Sequence, residues 1–278
     1  MKVIHEDDDL VVVDKPPSIP VHPCGRYRHN SILFILAKEE GFKSLHTVHR
    51  LDRLTSGVLI FSKTSAKARM MEQLIKAREV HKEYVCRVVG EFPEEEVVCE
   101  EPLEVISYKI GLVVVDGKGK ECKTIFRRIS YKDGVSIVRC LPKSGRMHQI
   151  RVHLQFLGFP ISNDPLYNSK IFGPEKGKNG VHGKSRELLI KDLIAHHSVE
   201  NWIESEEYLS SKVPSVMREK NQEEDTEEDK QYFDPHCAEC KVKYRPPPKD
   251  TLVMFLHALK YSGEDWSYST ELPSWAKL

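Results

Sequence analysis

Apolar residues recur in two rhythms along this chain, and each rhythm predicts a different kind of element. A short run at Leu10–Val13, closed by Pro16 and Pro17, predicts a strand that enters a loop. Ile32, Leu33, Ile35 and Leu36 then repeat at helical spacing; Asn30 is the predicted cap, the helix runs through Ala37 to Glu40, and Gly41 is its stop. The segment His49-Arg-Leu-Asp-Arg-Leu-Thr-Ser-Gly57 opens into Val58–Phe61, an apolar run that predicts a buried strand. Thr64 or Ser65 caps a second predicted helix, Ala66 to about Arg78, with Met70, Met71, Leu74 and Ile75 on its apolar side.

Lys82 to Val89 alternates as a half-buried strand does, and Pro102 to Pro142 is rich in strand patterns. Within it Gly117-Lys-Gly119 marks a turn, and Asp133-Gly134 joins two β-runs as a hairpin. The glycines beside Lys118 and Lys120 are not a phosphate loop, because no Gly-Lys-Ser/Thr follows and no helix starts there. The spacing of Met147, Ile150, Leu154 and Leu157 predicts one amphipathic helix over 143–157, with His148 and Arg151 on the same side. Its entry through Ser144-Gly145, with Arg146 in the first turn, predicts free backbone N–H groups that suit an anion. Leu252 to Leu259 is a last apolar run of strand length, and no internal repeat is present.

Composition narrows the class. With 278 residues, 40% hydrophobic and 30% charged, the chain fits one large domain or two small ones of ordinary globular character. No apolar run approaches a membrane span, and the acidic N-terminus lacks the character of a signal or transit peptide, so an intracellular protein without membrane attachment is expected. Seven cysteines, scattered apart from one Cys-x-x-Cys, fit reduced thiols. Residues from about 168 to 250 differ in composition and read as an insertion, acidic and partly disordered over 204–230. Glu204 to Lys230 holds ten acidic and four basic residues, which leaves 38 Lys+Arg against 32 Asp+Glu in the rest. The formal charge of zero therefore conceals a basic body of about +6, compatible with a polyanionic partner.

Candidate chemistry starts at Asp52, a carboxylate between Arg50 and Arg53 that opposite charge keeps ionised. That arrangement suits a nucleophile, and it suits a surface ion pair equally well. His46 and His49, or His148 and His153, lack the spacing of a helical zinc site. Cys237 and Cys240 are weak metal candidates, with His236, His196 or His197 as completing ligands. Tyr84 reads by itself as a packed aromatic with its hydroxyl satisfied at an edge. Arg50, Arg53, Arg146 and Arg151 are either four solvated cations or the elements of a phosphate-binding surface.

The nine residues His49 to Gly57 resemble the catalytic signature of the RluA family of RNA pseudouridine synthases. The resemblance extends in family order to Asp14-Lys-Pro16, Lys82-Glu-Tyr84, Ser144 to His153, Asp164-Pro-Leu-Tyr167 and Leu256-His-Ala258. It implies an α+β catalytic fold over 1–278, with a long, mostly antiparallel sheet flanked by helices and crossed by a central basic cleft. It implies isomerisation of uridine to pseudouridine in transfer or messenger RNA. Asp52 matches the catalytic carboxylate, Tyr84 the tyrosine against the target base, and Arg151 the cation paired with the aspartate. Arg50 matches the arginine that fills the space of the flipped nucleotide; Arg146, His49, Thr55 and His148 are further candidate RNA contacts.

The implied reaction breaks N1–C1′ and joins C5 to C1′, with no group gained or lost. No cofactor, metal or nucleotide is therefore expected, and RNA is the expected partner of a monomer. Asp52 either attacks C1′ or removes the 2′ proton, and the residues leave both routes open. The family often carries an N-terminal RNA-binding domain of the S4 type, so this chain is expected to be the catalytic part of a longer protein. The competing reading is an RNA-binding module with the same fold and no turnover.

Overall fold

The strand-forming runs assemble into one sheet. The computed structural model describes residues 1–24, 27, 29–42, 44–198, 245 and 247–277. Its strands are β1 (Lys2–Glu6), β2 (Leu10–Lys15), β3 (His46–Thr47), β4 (Ser56–Ser62), β5 (His81–Val89), β6 (Val97–Cys99), β7 (Leu103–Ser107), β8 (Leu112–Val115), β9 (Thr124–Lys132), β10 (Val135–Pro142), β11 (Leu256–Ser262) and β12 (Ser267–Ser269). The helices are α1 (Ile32–Glu39), α2 (Ser65–Lys76), α3 (Gln149–Phe156) and α4 (Arg186–His196).

Ten strands form the sheet, in the order β1-β2-β4-β11-β5-β10-β9-β6, with β12 against β11 and β3 against β4; β7 and β8 make a separate hairpin. Every pairing is antiparallel except β4 with β11. The parallel contact is a topological seam: a C-terminal strand is inserted between β4 and β5, whose antiparallel partners continue the sheet to either side. Two cores flank this seam. One gathers β2, β4, α1 and α2 around Val12, Ile60, Phe61 and Leu36, and the other gathers β5, β9, β10 and α3 around Cys86, Phe126, Val138 and Leu154. Tyr84 of β5 packs against both.

Two glycines are dictated by geometry. The β9–β10 hairpin turns at Asp133 (φ 50°) and Gly134 (φ 76°), the left-handed pair that this tight connection demands. Gly57 has φ 108°, and a Cβ there would lie 2.2 Å from the Ala258 carbonyl oxygen, so only glycine lets β4 lie against β11.

Several expectations shift. The first helix starts after Ser31 rather than Asn30, while Thr64 caps the second helix as expected, its side chain accepting from the Lys67 N–H at 3.2 Å. The last apolar run is a strand over 256–262, not 252–259. The largest correction falls on 143–157. The helix begins only at Gln149, because His148 sits at φ 56°, ψ 17°, a left-handed conformation that cannot continue a right-handed helix. Of the segment read as an insertion, the described residues include α4, whose Leu189 and Leu193 are buried with Leu112, Val152 and Phe172. The acidic run 204–230, Cys237 and Cys240 lie outside the described residues.

Candidate active site

Asp52 stands in the connection from β3 to β4, in a turn closed by the Thr55 N–H donating to the Asp52 carbonyl at 3.0 Å. The turn is held from beneath. Lys15, fully buried at the end of β2, donates to the carbonyls of Arg53 at 3.0 Å, Thr55 at 2.7 Å and Pro16 at 2.9 Å. Burial and the neighbouring Arg53 draw the Lys15 ammonium down to about 7, although Asp52 nearby opposes the fall.

Above the turn, α3 supplies the partner. Arg151 Nη1 donates to Asp52 Oδ2 at 3.1 Å, and its Nε and Nη2 donate to the two oxygens of Asp164 at 2.7 and 2.9 Å. Asp164 also accepts the backbone N–H groups of Leu166 and Tyr167, both at 2.9 Å. The Arg151 guanidinium lies 4.9 Å from the Tyr167 ring centroid, which seals its remaining face. A planar fork fixed on three sides has little freedom, so the single N–H aimed at Asp52 is pre-positioned.

His148 approaches the same oxygen, with Nε2 3.6 Å from Asp52 Oδ2. Its Nδ1 pairs with the Tyr167 hydroxyl at 2.9 Å, and that hydroxyl accepts the Val113 N–H at 3.1 Å. That pairing at Nδ1 leaves Nε2 as the ring nitrogen that faces Asp52. Burial, reinforced by Arg151, holds His148 at about 4, so it is neutral at pH 7. Burial opposes ionisation of Asp52, yet the charges of His148 and Arg151 outweigh it and hold the carboxyl below its ordinary value. With His148 neutral, Arg151 is the charged partner at neutral pH. Asp52 is 30% exposed, and its Oδ1 takes no hydrogen bond among the described residues.

These groups line a cleft of about 460 Å³ shared by Arg50, Asp52, Thr55, Lys82, Tyr84 and Arg146, among others. Tyr84 enters from β5, with its hydroxyl bonded to that of Tyr261. Burial raises Tyr84, and Asp52 adds to the rise, so the phenol keeps its proton. His49 stacks on Tyr261, ring centroids 4.5 Å apart, and its Nε2 accepts the Ile60 N–H at 3.1 Å. Burial holds this imidazole neutral, at about 3.

Arg146 is exposed on the rim and donates to the Glu121 carbonyl at 3.3 Å through Nη2. The expected anion-binding helix entry is corrected: Gln149 Oε1 accepts the Arg146 N–H at 3.0 Å and the Ser144 hydroxyl at 2.8 Å. Gln149 Nε2 in turn donates to Lys123 O and Thr124 Oγ1, which ties the 144–148 loop to β9. Arg53 does not line the cleft; its guanidinium lies 5.6 Å from the Tyr27 ring centroid.

Asp164, Tyr167 and Lys15 lie in family-like segments, but the sequence by itself assigns them no role. Their function is visible only through the partners they meet. No metal cluster is formed among the described residues: His153 is consumed by Thr124 Oγ1 and the Glu101 carbonyl, both at 2.9 Å. No described helix is long and apolar enough to cross a membrane.

The chain is similar to known proteins in sequence and in fold. A sequence profile described as RNA pseudouridylate synthase matches residues 9–156, a span that carries Asp52, Tyr84, His148 and Arg151 and stops before Asp164 and β11. The mouse (Mus musculus) protein named pseudouridylate synthase RPUSD2 is 46% identical over 310 residues, covering 99% of this chain and 56% of its own length. A Saccharomyces cerevisiae protein named mitochondrial tRNA pseudouridine(32) synthase is 41% identical over 292 residues, covering 99% and 59%. The chain thus spans somewhat over half the length of these relatives. In structure it resembles human RNA Pseudouridylate Synthase Domain Containing 4, with a TM-score of 0.59 at 21% identity, covering 99% of this chain and 90% of that one, a likeness of fold. The mixed, mostly antiparallel sheet and the matched site segments converge on one assignment: the chain belongs to the RNA pseudouridylate synthase family, of the RluA type.

Proposed function

We propose that this chain isomerises uridine to pseudouridine in RNA, with Asp52 as the catalytic carboxylate. One observation carries the proposal: Asp52 Oδ2 is held by Arg151, itself locked by Asp164, while Oδ1 is left open in the cleft that contains Tyr84. Both attack on C1′ and removal of the 2′ proton require this ionised oxygen beside the sugar. The target base must leave its stack to reach it, which costs on the order of a few kcal/mol. Arg50, exposed at the cleft mouth, occupies the space the base vacates, and Arg146 on the rim meets the phosphate backbone.

Tyr84, protonated and anchored by Tyr261, presents its ring to the uracil. His148, His49 and Thr55 act one layer back. His148 orients the carboxylate, His49 supports the Tyr261–Tyr84 pair, and Thr55 closes the turn. A relative's name mentions tRNA, and transfer or messenger RNA loops are the substrates we infer, since their bases are already splayed. The protein acts inside the cell as a monomer and uses no cofactor. The five described cysteines, all free, support a reducing compartment.

The test is tritium release from RNA labelled at uridine C5. The parent releases tritium; Asp52→Asn binds RNA within a few-fold of the parent and releases none. An Asp52→Asn protein as active as the parent overturns the assignment, and salt-sensitive RNA binding by a parent that forms no pseudouridine establishes a binding module instead.

A further inference from the structure

A second hollow of about 540 Å³ lies beside the cleft and shares with it only Arg50 and Leu51. Three stretches distant in sequence build it: Pro20, Val21, His22, Cys24 and Tyr27; the 50–53 stretch; and the β7–β8 turn that carries Lys109 and Ile110. Among the described residues its lining includes the cations Arg50, Arg53 and Lys109 and no carboxylate. None of the three makes an ion pair among the described residues. Three like charges around one concavity, none ion-paired among the described residues, repel one another, and an anion relieves that repulsion.

The hollow also holds an aromatic face. Tyr27 is 37% exposed and is fixed by paired backbone bonds with Cys24, N–H to O at 2.9 and 3.1 Å. The Arg53 guanidinium sits 5.6 Å from its ring centroid. An aromatic plane beside unpaired guanidinium and ammonium groups is the combination that takes a nucleotide, base on the ring and phosphate on the cations.

We propose that this hollow binds the nucleotide adjacent to the target uridine, so that the RNA is splayed on both sides of the Arg50-Leu51 ridge. The proposal rests on the reading of the cleft as the uridine site. It assigns Arg53, which has no part in the cleft, and Lys109 to the flanking phosphates, and Tyr27 to the flanking base. Discrimination among sequences neighbouring the target uridine then resides at Tyr27 and its surroundings.

Cys24 supplies a probe, because it lines this hollow and is the exposed thiol among the described cysteines. Alkylation of Cys24 is followed by peptide mass spectrometry with and without saturating heptauridylate, binding being confirmed separately by fluorescence anisotropy. The expected result is protection of Cys24 by roughly tenfold. Tyr27→Ala and Lys109→Ala weaken heptauridylate binding by roughly tenfold and fewfold, as loss of one stacked base and one phosphate contact does, and Tyr27→Phe restores it. Unfolding midpoints equal to the parent's show that the variants are folded.

Cys24 alkylated at the same rate with RNA bound overturns the proposal, as does a Tyr27→Phe protein no better than Tyr27→Ala. The tritium assay fails or succeeds independently. Protection of Cys24 without pseudouridine formation keeps this subsite and removes the activity, whereas turnover without protection does the reverse.

Discussion

Arg151→Met removes the one cation that serves two carboxylates. In the parent, Asp164 is 1% exposed and accepts two charged N–H bonds from Arg151 and two backbone N–H bonds. Methionine fills most of the volume, so the loss is electrostatic rather than a cavity. A buried pair broken on one side costs about 3–5 kcal/mol. The lower end is expected here, since the Leu166 and Tyr167 N–H groups remain.

The pH dependence supplies the sharper test. In the parent, Arg151 and the two N–H groups hold Asp164 below its ordinary 3.8 against the effect of burial. That stabilisation is present above 3.8 and is lost as pH falls through the folded value. In Arg151→Met, burial dominates and the carboxyl rises above 3.8, so the folded state binds more protons than the unfolded one. Stability of the variant therefore falls as pH rises through the new folded value, the opposite slope. Urea denaturation followed by tryptophan fluorescence at pH 5 and pH 8 reads both. A variant as stable as the parent, or one with no excess destabilisation at pH 8 relative to pH 5, refutes the account. Asp164→Asn combined with Arg151→Met restores part of the stability at pH 8 but none of the activity, since Asp52 still lacks its partner.

Three further outcomes follow from the same geometry. Tyr84→Phe keeps the ring against the base but loses the hydroxyl bond to Tyr261 that fixes its orientation, so RNA affinity stays within a few-fold while isomerisation slows; single-turnover kinetics with an unchanged rate sinks that role. Gly57→Ala drives a Cβ into the Ala258 backbone and costs about 3 kcal/mol or more, whereas Gly41→Ala, with open space around it, costs only about 1–2 kcal/mol; equal urea midpoints for the two contradict the close approach of β4 to β11. Lys15→Met orphans three carbonyl acceptors, at roughly 1–3 kcal/mol each before relaxation. Because Lys15 titrates near 7 in the folded protein and at 10.5 otherwise, the unfolded chain binds more protons between those values and parent stability rises across them; a stability–pH curve that keeps this rise in Lys15→Met rules the buried lysine out as its source.

Local chemistry in the sequence determined much of this protein. Apolar spacing located α1, α2, β2, β4, β5 and the β9–β10 hairpin within a few residues, because burial of an apolar face and the need for a left-handed turn at Asp133-Gly134 act over short range. Asp52 and its flanking arginines stood out for the same reason, as did the i, i+3 placement of His148 and Arg151. Tertiary structure decided what those residues are for. The start of α3 moved from 143 to 149 because Gln149 reaches back to Ser144 and Arg146 and across to β9, contacts that helical periodicity cannot encode.

The two arginines beside Asp52, equivalent as local charges, part company in the fold: Arg50 borders both hollows, while Arg53 lines only the one with Tyr27. The cation that holds Asp52 comes instead from 99 residues away, fixed in turn by Asp164. Charge along a chain can show that a carboxylate is ionised. Only the packing of distant segments shows which of its oxygens is held, by whom, and which is left open to react.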